Sequence, residues 1–515
     1  MIAIRPNVES MPRGMRWVIF ASLLFLMLTP SRVDPVREIL IYLRWVPLFV
    51  LGALVFMRAA WNHSLPRPIN SADTLILAFV SLALLSSLYS IDVEISLLRG
   101  ISVLLVYGAV FWGMWSCADA YGVESLARII VTVVMIGFGL HVVFTVLFPL
   151  RSFPYYGRLA GWAENPGTLG ALAAITMPLV FWRVIDTGRW YYSVLAGVML
   201  VGVLLSQARV EMIAIVVGSG FFLMRSLAHR KLLVLVAAAA FLGAVLVWGR
   251  IGTGIIIVNI EKARYASMIN EGPHPLIGEA EAEYEVTDTR DDALSTDGVL
   301  TDGVLTDGVL TDGVLTDGVL TDGVLTDGVP TDGVLTDGVL TDGVPTALDS
   351  GTSAALQQLE ADKRTSIENY VTLSGRLDKW YYGMRYFLEK PLLGFGFGTE
   401  SQLFAYHDRP PNDYVYTGGY FHNAILGMAL QLGLVGATLF FVPQGCLILR
   451  ELRELGAPQR IELRDALLGV LLSGMTSALL SSDLYSMGNP KAIFYWMCVM
   501  LVFRYSHITV THVDA

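Results

Sequence analysis

Long apolar runs separated by short polar turns dominate the chain. About 20 apolar residues suffice to cross a bilayer as a helix. Twelve such runs can be traced, near 16–30, 36–57, 72–90, 95–117, 124–148, 166–183, 190–207, 210–226, 231–249, 420–447, 465–482 and 490–504. They predict an all-α fold, a polytopic integral membrane protein with about twelve transmembrane helices. The first nine fall in 1–249 and the last three in 420–515; residues 250–419 form one large loop of roughly 170 residues between them. Arg13 and Arg16 precede the first run, but no small-residue cleavage site with a soluble domain follows. The first run is therefore read as a retained helix rather than a cleaved signal.

Basic residues orient the helices, because cytoplasmic loops carry an excess of Lys and Arg. With a cytoplasmic N-terminus, the inner loops receive Arg58, Arg67, Arg183, Arg189, Arg225, Arg230, Lys231, Arg450, Arg453, Arg460 and Arg464. Arg504 also falls inside, so both termini are expected in the cytoplasm, while the turn at Ala118–Gly122 carries no basic residue. The large loop then faces outward, into the periplasm or its equivalent, and a bacterial inner membrane is the expected location. Mean hydropathy is +0.58 over 515 residues. Residues 261–419 hold 28 Asp plus Glu against 10 Lys plus Arg, a balance of −18; the remaining chain is +8, and the two sum to the overall −10. An acidic outer loop argues against nucleic-acid binding, which needs a basic face.

Within that loop, Thr-Asp-Gly-Val-Leu repeats ten times from Thr296 to Pro345, with Pro330 and Pro345 in place of the last Leu. Asp-Gly favours turns, and one Val-Leu pair per five residues makes no helical stripe. The period differs from the nonapeptide calcium repeat. A low-complexity insert is the expected role of 296–345; weak cation binding by Asp297, Asp302 and their successors is the alternative. Cys117, Cys446 and Cys498 all lie in or beside predicted helices, so no disulfide is expected in the loop, and no Cys or His spacing suggests zinc. No metal and no cofactor are expected.

Three cations are placed at the outer membrane level. Arg209 lies in Leu204-Leu-Ser-Gln-Ala-Arg209-Val-Glu211, between apolar runs, where an arginine is costly unless it faces a cavity or a partner. The plainer reading is an ion pair with Glu211 or a snorkelling anchor. Arg376, in Ser374-Gly-Arg376-Leu-Asp-Lys-Trp380, precedes a stretch whose apolar positions (Leu377, Trp380, Tyr381, Met384, Phe387, Leu388) follow helical spacing, as for a helix lying on the membrane face. Trp380 is a candidate sugar platform, although such aromatics more often pack. His422 stands at the loop's end in Gly418-Gly-Tyr-Phe-His422-Asn423, nine residues before Gly433-Leu-Val-Gly436. A lone His at a helix start is usually structural; the order of motifs around it makes it a candidate.

That order resembles the O-antigen ligase superfamily, which includes O-antigen ligases and related polysaccharide polymerases. His-Asn followed by Gly-Leu-Val-Gly is similar to the family signature, Arg376 resembles its outer-loop arginine, and Arg209 the arginine after its serine-containing helix end. Gly157-Arg158-Leu-Ala-Gly-Trp-Ala-Glu-Asn165-Pro166 resembles its Gly-rich, Asn-Pro segment. The resemblance covers about 150–260 and 370–505 and fails across the repeat. Two departures stand out: Gly167 where the family often has a second Asn, and Glu211 where it has a small residue. The resemblance implies a GT-C-like glycosyltransferase that takes a glycan from a polyprenyl (undecaprenyl) diphosphate, without metal and with inversion, and transfers it to a sugar hydroxyl. The implied catalytic residues are His422, Arg376 and Arg209, and the implied substrate-binding residues Arg158, Asn165, Asn423 and Trp380. Guanidinium groups suit a diphosphate because they bind its oxygens bidentately and keep their charge. An imidazole titrating near 6.5 can take the acceptor proton.

The acceptor stays open: a lipid A-core sugar for a ligase, a growing lipid-linked glycan for a polymerase. A flippase or transporter is the competing class. Against it stands the absence of a two-fold hydropathy repeat and the concentration of candidate residues in one loop. A purely structural membrane subunit would explain the helices but not the ordered motif. Beyond glycan substrates, membrane lipids are the expected partners.

Overall fold

A computed structural model describes residues 14–153 (apart from 32, 62, 64, 66, 68 and 70), 158–227 (apart from 164), 376–407, 420–454 and 462–513. All lie in one unit built from the chain before 266 and after 374. Helices account for nearly all of it, and among the described residues there is no strand beyond one isolated bridge, Ser31 with Ala163. The helices are α1 Gly14–Leu28, α2 Asp34–Leu43, α3 Trp45–Trp61, α4 Ser71–Leu85, α5 Val93–Val106, α6 Trp115–Tyr121 and α7 Val123–Leu147. They continue with α8 Pro166–Thr187, α9 Trp190–Ser206, α10 Arg209–Ser226, α11 Arg376–Glu389, α12 Ala424–Arg453, α13 Glu462–Ala478 and α14 Pro490–Val513. A π-helical segment, Tyr107–Met114, joins α5 to α6.

Helix lies over every predicted run except 231–249, which, with the repeat at 296–345, falls outside the described residues. Among the described residues, five helical stretches are long and apolar enough to cross a membrane: Pro35–Trp61, Val93–Tyr121, Val123–Leu147, Pro166–Thr187 and Ala424–Arg453. Shorter apolar helices cover Arg16–Leu28, Asp73–Leu88 and Trp190–Ser206. Large apolar side chains such as Trp17, Phe49, Leu88 and Val146 point outward, as they do where lipid replaces water. The fold is thus all-α and of membrane type. Its boundaries move where a cap decides: Asn423 accepts from the Leu426 amide at 3.0 Å, so α12 begins at Ala424 rather than 420.

Small residues set the central packing. At Gly218 of α10, a Cβ would meet Ser473 Oγ at 2.0 Å and the Gly469 carbonyl of α13 at 2.2 Å. Backbones that approach this closely are how helices gain contact without a hydrophobic driving force. Ser473 Oγ also donates to the Ala214 carbonyl at 2.9 Å. This contact brings the start of α10, with Arg209 and Glu211, beside the end of α13.

Two glycine motifs of the sequence meet in space. Inside α12, Gly433 adopts φ 64° and ψ −166°, which breaks the helix for one turn. Backbone groups freed at membrane depth must be satisfied by other protein groups, and the segment 391–398 does this. The Phe395 and Gly396 amides donate to the Leu430 and Gln431 carbonyls, both at 2.9 Å, while the Leu434 amide donates to the Pro391 carbonyl at 2.8 Å. A Cβ on Gly433 would lie 2.1 Å from the Leu392 backbone, so only glycine fits. The Gly398 amide donates to Gln431 Oε1 at 2.6 Å. The end of the large loop is therefore built into α12.

Candidate functional site

Four distant segments converge at the end of the bundle where α12 begins. The stretch at 158–163 is hydrogen-bonded to the end of α9: the Leu159 amide donates to the Leu205 carbonyl at 2.9 Å, and Arg158 Nε to the Ser206 carbonyl at 3.0 Å. α9 closes with Gln207 in the left-handed conformation (φ 54°), and Arg209 opens α10 two residues later. Arg376 opens α11. Burial is the main effect lowering the Arg158 pKa, followed by the neighbouring charges of Arg209 and Arg376. Burial also lowers that of Arg376, with Arg209 acting the same way and the carboxylates of Glu211 and Asp483 opposing. A guanidinium lowered in this way stays charged at neutral pH, so the site concentrates positive charge.

His422 sits against this cluster. Its φ of 53° is left-handed, uncommon outside glycine although His is among the residues that tolerate it. The peptide before it is held on both sides, with the Trp380 indole donating to the Phe421 carbonyl at 2.8 Å and the Phe421 amide to Glu400 Oε1 at 2.8 Å. Burial, then the charges of Arg376 and Lys379, push the His422 pKa down to about 4, against the opposing pull of Asp483. The imidazole is neutral at physiological pH and available as a base. Lys379, one helical turn after Arg376, is buried, and its ammonium is pushed down to about 8 by burial and by Arg376, with Glu400 opposing.

On the far side of the cluster lies a buried ionic network. Lys491 of α14 donates to Glu211 Oε1 at 3.2 Å, Ser477 Oγ at 2.6 Å, Ser481 Oγ at 3.1 Å and Asp483 Oδ2 at 3.2 Å. Ser477 in turn donates to the Glu211 carboxylate, lying 2.9 Å from both oxygens. Glu211 is thus committed to Lys491 and Ser477, which gives the carboxylate at this position a defined partner. Burial would raise the Asp483 pKa, but Lys491 and Ser481 hold it below the usual carboxylate range.

The structure brings Arg158, Arg209, Arg376 and His422 together, and places Trp380 against the peptide that precedes His422. Asn165 and Asn423 serve as helix caps, their side-chain oxygens accepting the Gly167 amide at 2.7 Å and the Leu426 amide at 3.0 Å. Sequence reading missed Lys379, Glu400, Asp483 and Lys491. A signal existed for Lys491, since an ionisable residue inside the apolar run 490–504 is a functional candidate by default. Among the described residues, no three His, Cys, Asp or Glu side chains are grouped to hold a metal ion. The arrangement can bind a multiply charged anion through its guanidinium groups and accept a proton at His422.

Residues 338–441 match a family model described as O-Antigen ligase. The match contains Arg376, Lys379, Trp380, Glu400, His422 and Asn423, and runs through the kink of α12. It supports the O-antigen ligase superfamily that the sequence resembles, on the segment that carries the histidine. No curated protein matches the chain significantly.

Proposed function

We propose that this protein is a membrane glycosyltransferase of the O-antigen ligase type. It moves a glycan from a polyprenyl diphosphate carrier to an acceptor sugar hydroxyl on the outer, periplasmic face of a bacterial inner membrane. The observation that carries this reading is that Arg158, Arg209 and Arg376 lie within each other's charge field, and that Arg376, with Lys379, acts on a neutral His422. In the proposed reaction the acceptor oxygen attacks the anomeric carbon, His422 takes the hydroxyl proton, and the bond to the diphosphate oxygen breaks with inversion. The guanidinium groups stabilise the charge that develops on the departing diphosphate, where fixed positive groups lower the barrier directly. Neither step calls on a metal. The reading takes the twelve spans and cytoplasmic termini that the hydropathy and basic residues predict, with the site at the outer surface.

Ligation to lipid A-core is the first form of this reading; polymerisation onto a lipid-linked chain uses the same donor. Gel analysis of surface glycans from a strain lacking the protein tests both. Long chains left on polyprenyl lipid beside bare lipid A-core are expected for a ligase, and single repeat units for a polymerase. An unchanged glycan profile would sink the transferase reading and favour a transporter.

A further inference from the structure

Glu400 is the most enclosed carboxylate near the site, 1% exposed, and it touches no candidate substrate group. Its two oxygens collect four donors from three parts of the chain. The Phe421 amide and Ser482 Oγ donate to Oε1 at 2.8 and 2.9 Å. Gln431 Nε2 donates to Oε2 at 3.4 Å, and the Tyr485 hydroxyl donates to the same oxygen. Phe421 precedes His422, Gln431 lies in the turn that the glycine segment interrupts, and Ser482 and Tyr485 flank Asp483. The carboxylate thus ties the backbone carrying His422 to the turn carrying Asp483, whose charge acts on His422.

The left-handed backbone at His422 needs such a tie. A non-glycine residue held in a sparsely populated region is strained and persists only where its surroundings over-determine it. Trp380 fixes the Phe421 carbonyl, Asn423 caps α12 on the other side, and the Phe421 ring is fully buried. The Tyr420–Phe421 peptide is held through its carbonyl by Lys379 at 3.4 Å and through the Phe421 amide by Glu400 at 2.8 Å, the shorter of the two. Burying a carboxyl here rather than an apolar side chain is otherwise a cost.

We propose that Glu400 is a positioning residue of the transfer site, holding His422 in register with Asp483 and the arginine cluster. This rests on the transferase reading above. A glutamine at 400 keeps an oxygen for the Phe421 amide and Ser482, and Tyr485 can turn its hydroxyl to accept from the new amide. An alanine removes the acceptor that the four donors share.

The test is transfer by full-length protein in proteoliposomes, using lipid-linked glycan extracted from a strain lacking the protein. Glu400→Ala is expected to lower kcat by about 100-fold with donor KM within about threefold, the size expected when a general base is misplaced. Glu400→Gln should recover to within about tenfold of wild type. Ser482→Ala with Tyr485→Phe cuts the tie to the Asp483 turn while leaving Glu400 in place, and should lower kcat by about tenfold, again at unchanged KM. Wild-type kcat in the Ser482/Tyr485 variant, or a Glu400→Ala loss no larger than its loss of folded protein, would overturn the proposal. Failure of Glu400→Gln to recover more than Glu400→Ala would do the same. His422→Ala is the separating arm: if it retains wild-type turnover the transferase reading itself falls, and if it is inactive while the Glu400 variants are normal, only the positioning role does.

Discussion

Arg67 and the arginine cluster at the site occupy opposite ends of the bundle and handle the same charge in opposite ways. Arg67 donates to both oxygens of Asp73 at 2.5 and 2.6 Å and to the Phe111 carbonyl at 2.9 and 3.2 Å. Its guanidinium lies 4.3 Å from the ring centroids of both Trp112 and Trp115. Tyr107 adds a bond to Asp73 at 3.0 Å. This is a closed unit that pins the loop before α4 to the π-helical segment. Arg158, Arg209 and Arg376 instead act on one another as like charges, with Lys379 beside Arg376. Arg67 is neutralised by a dedicated carboxylate and serves the fold, whereas the arginines of the cluster share a field of like charge that the carboxylates of Glu211 and Asp483 offset at Arg376. The difference between the two ends is that between a private partner and a shared field.

The largest effects should separate the two ends cleanly. Arg376→Ala is expected to reduce transfer on the order of 10²–10³-fold, as for loss of one charge-stabilising donor, with membrane abundance unchanged. Arg67→Ala should do the reverse: abundance falls, because the buried Asp73 carboxylate loses its guanidinium at a cost of about 3–5 kcal/mol, while specific activity of the remaining protein persists. Immunoblotting of membranes alongside glycan profiles reads both, and equal behaviour of the two variants would break the comparison. The Glu211–Lys491 pair is next. Glu211→Ala leaves the buried Lys491 ammonium with Asp483 but without Glu211 and should cost about 1–3 kcal/mol, and adding Lys491→Met should cost less than the two single losses summed. Thermal unfolding in detergent decides, and additive losses would mean that the two side chains are independent.

Smaller effects concern protons. His422 must be neutral to act as a base, and its pKa of about 4 keeps it so far below neutrality. Turnover should therefore hold from pH 7 to pH 5 and fall only near pH 4, rather than near the ordinary 6.5. Lys379→Met removes one of the charges that depress it and should move that fall upward by a fraction of a unit; an unmoved limb would place Lys379 outside the field of His422. Glu400 works in the opposite direction for stability. Burial raises its pKa from 4.5 to about 7, so its contribution is full below 4.5 and is lost as pH rises through about 7. In Glu400→Gln, Tm should vary less across that window. The smallest effect is expected from deleting 296–345, which should leave transfer within about twofold, since loop length alone weighs little.

Much of the helical framework was legible because an apolar run long enough to span a bilayer has few alternatives. Arg209, Arg376 and His422 were legible as cations beside such runs, in an order that resembled a family. Their partners were not. Glu211 and Lys491 are separated by 280 positions, and Glu400 and Ser482 by 82; no local pattern encodes a pairing made only when α10, α13 and α14 pack. Asn165 and Asn423 show the converse limit. Their side chains cap helix starts, a role that the same residue type fills in any protein and that the resemblance did not bring forward. The break at Gly433 was also hidden: the sequence shows a glycine in an apolar run, but not that Gly394 and Gly396 approach it from another segment.

The seam between 391–398 and α12 bears on how this chain can change over evolutionary time. Because the loop's last stretch is stitched into a broken helical turn, the residue that follows it toward the site is fastened independently of how much chain comes before. Insertions upstream, such as ten tandem pentapeptides ending at Pro345, need not transmit their length to the histidine. A protein anchored in this way has a tolerant insertion point next to an intolerant site. The same arrangement offers the engineer a place for a tag or a reporter domain, provided that it is set before residue 376 and never between 390 and 433.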